Sequence, residues 1–209
     1  MRVAWLCLLM ATSLMGQYRS EPAGPPPSEL SPQLREALEA QGVKVVGQDG
    51  SVWAEFWFAR QVPQNVKSSE VDVTWNTVPH GALVGVVRFP SKVQDRRGQT
   101  LEPGVYTLRF SYWPVDGAHQ GVEPNRDALV LSPASIDTDP SAQPNFDKLM
   151  DMSRQASKTR HPAFLSMWKA EEGGDWQPGV TQMDDSWVLH VRVSGTPISV
   201  IVKGVNPHG

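Results

Sequence analysis

The chain has 209 residues, one cysteine and a formal net charge of −3. Its lysines and arginines form no clustered block, which argues against nucleic acid as a partner. A chain of this size can bury about 70% of its surface in one core, so stability requires neither a disulfide nor a structural metal.

Residues 1–16 open with Arg2, followed by an apolar run from Val3 to Met15. A membrane span needs about 20 apolar residues, whereas a secretory signal needs an apolar stretch of about 7–15. The run predicts a signal peptide cleaved near Gly16, no membrane span in the mature chain, and a periplasmic or extracellular location. Cys7 leaves with that peptide, so the mature protein has no thiol for a disulfide or a metal. Residues 17–30, with the stretch "EPAGPPPSEL", read as an extended and exposed Pro-rich tether. Residues 31–209 read as a single domain.

"SPQLREALEAQG" predicts a short helix, capped by Ser31, with Pro32 in the first turn and Gly42 at the exit. Beyond it the apolar period changes from 3.6 to 2. "VKVV" and "SVWAEFWFA" flank a turn at "GQDG". Val52, Ala54, Phe56 and Phe58 face one way; Trp53, Glu55 and Trp57 face the other. "VDVTW" and "ALVGVVRF" predict further strands. In "DRRGQTLEPGVYTLRFSYW", Pro103-Gly104 supplies a turn. Tyr106, Leu108, Phe110 and Tyr112 then alternate inward against Thr107, Arg109 and Ser111 outward. "ALVLS" is another strand, and Phe146–Ala156 a second helix, docked through Phe146, Leu149, Met150, Ser153 and Ala156. "AFLSMWK", "SWVLHVRV" and "ISVIVKG" complete the set. Strands without regular βαβ alternation predict a mainly β protein. The expected architecture is an antiparallel β-sandwich of about eight or nine strands, with a short N-terminal helix and one helix in a long crossover.

The unit "GQTLEPGVYTLR" (98–109) resembles a hairpin of secreted prealbumin-like and immunoglobulin-like β-sandwich modules. The longer run "DRRGQTLEPGVYTLRFSYWPVDGAHQGVEPNRD" is similar to an uncharacterised family of secreted bacterial proteins, a domain of unknown function. The resemblance implies an extracytoplasmic β-rich domain and transfers no catalytic residue.

Of five histidines, His80, His119 and His161 each stand at a Gly or Pro junction. Antiparallel strand directions bring all three to one end of the sandwich, together with Asp116, Arg126 and Asp127. Imidazoles with a carboxylate suit Zn²⁺ or Cu²⁺, so His80, His119, His161, Asp116 and Asp127 are candidate ligands of a metal-binding protein or metal-dependent enzyme. Their spacing matches no metal motif, and each residue has a ready structural role in its own loop. Trp53 and Trp57 share the outward face of one strand. With Arg126 nearby in the loops, they are candidates for carbohydrate binding, unless the first helix covers them. His190 falls on the solvated face of its strand. Asp137 and Asp139 read as a turn. No Gly-x-Ser-x-Gly elbow, His-Glu-x-x-His or phosphate loop occurs. The first expectation is a monomeric, non-catalytic binding or structural protein of the cell envelope, partnered by carbohydrate or an envelope protein.

Overall fold

The computed structural model of the chain describes residues 17–115, 125–171, 173 and 176–204. Twelve strands and two helices occur among them. In chain order the elements begin with β1 (Arg19–Pro22), α1 (Pro32–Ala37), β2 (Val43–Val46), β3 (Val52–Phe58) and β4 (Leu83–Phe89). A small hairpin, β5 (Val93–Gln94) and β6 (Thr100–Leu101), precedes β7 (Gly104–Tyr112) and β8 (Asp127–Pro133). After α2 (Phe146–Ser157) come β9 (Phe164–Lys169), β10 (Gly179–Met183), β11 (Ser186–Val193) and β12 (Thr196–Lys203). No described helix is long and apolar enough to cross a membrane.

Mainly β, antiparallel and with two helices, the protein meets the coarse expectation, but its strands do not divide into a two-sheet sandwich. They form one ten-stranded sheet, ordered β1-β2-β3-β4-β7-β8-β9-β12-β11-β10. Strand β9 is the link: Phe164–Ser166 pairs with β8 and Met167–Lys169 pairs with β12. The two edge strands, β1 and β10, approach each other, so the sheet is nearly a barrel. Period-2 alternation specifies an inside and an outside but does not separate two stacked sheets from one rolled sheet.

The inward side chains fill the barrel. Ala54, Phe56 and Phe58 of β3 meet Tyr106, Leu108 and Phe110 of β7 in one cluster, with Leu129, Leu165, Leu189 and Val200. Each fully buried side chain of this size stabilises by about 1.5–3 kcal/mol. The long connection 60–81 plugs one mouth. Its Trp75 is buried and stands edge-on to Phe110, with ring centroids 6.0 Å apart. "VDVTW", expected as a strand, lies in this plug instead. The backbone N–H groups of Thr74 and Trp75, which a strand would commit to a ladder, donate to the Asp127 carboxylate at 2.7 and 2.8 Å.

Residues 17–30 are not an exposed tether. β1 pairs with β2 from Arg19↔Val46 to Pro22↔Val43. Ala23, Pro27 and Leu30 are buried. Prolines remove donors but leave carbonyls free: Gly24 O accepts from both Gly42 N and the Trp57 indole. Ser31 caps α1 and Pro32 opens it, as expected, but the helix ends at Leu38 rather than near Gly42. Leu38 turns extended there and bridges Ala59.

Candidate functional site

The outward face of β4, β7 and β8 is covered rather than solvated. α1 and the segment before it seal one part: Leu30, Leu34 and Leu38 pack on Trp57, Leu83 and Val86. Next to this lies a polar node. Arg109, outward on β7, is completely buried. Its Nε and one Nη grip Asp137 at 2.6 and 2.7 Å. The remaining guanidinium hydrogens go to the carbonyls of Gly81, Ala142 and Asp139. All five donors of the fork are thereby used. Thr107 Oγ1 donates to the same carboxylate at 2.5 Å. A buried ion pair persists only when every hydrogen bond is met, and here the pair ties the 134–145 crossover to the sheet. Asp137, read from sequence as part of a turn, is the buried half of this node.

The crossover delivers α2. Asn145 caps it through Lys148 N at 3.0 Å, and Lys158 ends it in the left-handed region at φ 56°. Leu149, Met150, Met152, Ser153 and Ala156 are buried. Ser153 Oγ donates to Ala163 O and accepts from Ala163 N, locking α2 to the start of β9. Phe146, expected on the docked side, is 43% exposed.

Beneath α2 the cover is incomplete. A cavity of about 230 Å³ opens between the helix and the outer face of β7, β8 and β9. Its walls are apolar and aromatic: Tyr112, Trp113, Phe146, Met150 and Phe164, over Ala128 and Val130. Trp113 and Phe164 stand edge-to-face with centroids 4.0 Å apart. Arg97, Arg154, Arg160 and His161 form its rim. Hairpin β5–β6 positions this rim. The carboxylate of buried Asp95 accepts from Arg97 N and Gln99 N, and the Gln99 amide donates to Pro162 O at 3.0 Å. Burial raises the Asp95 pKa above its usual value, against the pull of those hydrogen bonds.

The expected site residues meet here only in part. His80 Nδ1 is 3.2 Å from Ser111 Oγ, and its ring borders Tyr112 and Phe146. Those three residues line the cavity with His161, but the two histidines approach it from opposite ends of the fold. His80 lies beside the end of β7, whereas β9 runs antiparallel to β8, with Phe164 facing Val130 and Ser166 facing Ala128, so His161, ahead of β9, lies toward the Pro133 end. The expectation of one shared end is corrected: it took the helix to return the chain to the Asp127 end before β9 begins. Burial lowers the pKa of His80. His161 is exposed. Asp127 spends its carboxylate on the plug amides, and burial raises its pKa. Arg126 also holds the plug: it donates to Trp113 O, Glu70 and Val71 O, and lies over the Tyr112 ring. Among the described residues, no group of three or more His, Cys, Asp or Glu is arranged to hold a metal. His119 and Asp116 lie outside the described residues.

The tryptophan platform is corrected. Trp57 is 1% exposed, under α1, and offers no face to a sugar. Trp53 sits at a bulge in the β2–β3 register, half-buried. Its indole donates to Val202 O, and Lys203 Nζ lies 4.9 Å above its ring. His190 is half-buried, its ring nitrogens bonded with Ser199 and Thr181 at 2.8 and 2.7 Å. Burial lowers its pKa too.

Sequence reading missed the cavity and its arginines. The available signals were Phe146 and Met150 at i and i+4 on a helix, and the basic "RR" and "TRH" stretches on either side of the fold. Their coming together depends on long-range docking that no local pattern reports. No protein-family model, no curated protein and no solved structure matches this chain.

Proposed function

We propose that this protein is a non-catalytic binding protein of the cell envelope that holds a small apolar molecule under α2. The carrying observation is the cavity itself: an aromatic-lined recess in an outer face that α1 and the crossover largely cover elsewhere. Ligand sites are concave, mostly apolar and framed by a few polar groups. Their usual volumes begin near 300 Å³, so about 230 Å³ suits a compact ligand of one or two rings. The barrel interior is a less suitable place, because its inward side chains are packed together. Location outside the cytoplasm is part of the proposal. It rests on the apolar leader of the sequence and on a fold that already includes Tyr18, buried against Trp187.

The test uses a neutral two-ring fluorophore, 6-propionyl-2-(dimethylamino)naphthalene, whose emission rises in apolar surroundings. We expect saturable enhancement by the wild type and its loss in Ala128→Leu, which fills the cavity floor. Unchanged enhancement in a folded Ala128→Leu protein would place the probe elsewhere and reject the reading.

A further inference from the structure

Among the described residues, the rim of the cavity beneath α2 carries more positive charge than is paired. Arg154 is employed: it donates to Arg160 O and Asp151. The Arg97 and Arg160 guanidinium groups and the His161 ring make no hydrogen bond or ion pair with another described residue. No Asp or Glu among the described residues lines the cavity. Among the described residues the arrangement is therefore polarised, with aromatic rings below and two arginines without an acidic partner above. The contrast with Arg109 is direct, since there every guanidinium donor has a protein acceptor.

We propose, building on the binding role above, that the ligand is an aromatic oxyanion: a ring or fused ring pair bearing a carboxylate or a chemically similar group. Planar rings match walls of Tyr112, Trp113 and Phe164, which favour edge-to-face and offset contacts. An arginine fork matches the two oxygens of a carboxylate, and charge-assisted bonds of this kind are the stronger ones. Arg160 and His161 are exposed, so solvent weakens their share. Arg97 is half-buried and provides the better-shielded contact. The rim thus gives selectivity for charge, while the rings give most of the contact area.

Titration calorimetry with a matched pair of probes tests this: 1-naphthylacetate and the neutral 1-naphthaleneethanol. We expect the anion to bind about tenfold more tightly at low salt, a difference of about 1.4 kcal/mol. Raising the salt should weaken the anion and leave the alcohol unchanged. The Arg97→Gln/Arg160→Gln double variant should bring the two probes within about threefold of each other, with the alcohol's affinity preserved. Equal affinities in the wild type would overturn the charge inference while sparing the cavity. Failure of both probes to bind would overturn the cavity reading and this inference with it. A preference for the anion that survives in the double variant would show that the rim arginines do not supply it.

Discussion

Two helices lie on neighbouring parts of the same sheet face, and they cover it differently. α1 has six residues, yet Leu34 beneath it and Leu38 just past its end are fully buried and close the surface over Trp57. α2 has twelve residues, and its first turn stands over an opening large enough for a ligand, with Phe146 partly in solvent. Helix length does not decide the seal. The difference lies in what surrounds each helix: α1 is backed by a buried N-terminal segment, whereas α2 hangs from a crossover fixed at Arg109 and at Ala163. A short helix with a full apolar collar seals; a longer one held at its ends leaves space between.

The largest effect should come from the node between them. Arg109→Met leaves Asp137 buried without its partner, and breaking one side of such a pair costs about 3–5 kcal/mol. Urea unfolding should show this loss, and amide exchange should speed up in the crossover and α2 while the amides beneath α1 stay protected. Uniform loss of protection would mean that the two covers are not independent.

Next are the helices themselves. Leu34→Ala creates a cavity in a sealed layer and should cost about 3 kcal/mol. Met150→Ala enlarges a space already open and should cost about 1 kcal/mol, below the usual range for such truncations. Equal costs would remove the distinction between sealed and open cover. Phe146→Ala is smaller still. An exposed side chain contributes within about 0.5 kcal/mol, so stability should hold while the affinity for a naphthyl probe falls several-fold.

Much of the barrel was readable from sequence. Tyr106, Leu108 and Phe110 alternate inward as the pattern dictates, because β7 is long and regular. The plug was not readable: "VDVTW" alternates like a strand, but Asp127, 53 positions after Thr74, takes the amides a strand would need. Arg109 was correctly placed outward, yet outward meant buried, since the covering crossover lies far along the chain. Of the junction histidines, His80 stands beside Ser111 at the expected end, but His161 does not, because β9 runs antiparallel to β8 and starts toward the other end. Coordination geometry, however, depends on side-chain directions that alternation does not set.

The smallest effect concerns pH. His80 and His190 have folded pKa values lowered by burial. They bind fewer protons folded than unfolded, so stability falls as pH drops from about 6.5 through those lowered values. Urea midpoints between pH 7.5 and 5 should decline, and His190→Gln should flatten part of the slope. An unchanged slope would assign the decline to other groups.

The most direct measurement is a methyl-resolved NMR titration of the methionine side chains with 1-naphthylacetate. Binding under α2 predicts a large ring-current shift of the Met150 methyl, with Met167 inside the barrel and Met183 on the surface unmoved. A titration that shifts Met167 and leaves Met150 in place would contradict a ligand site on the outer face.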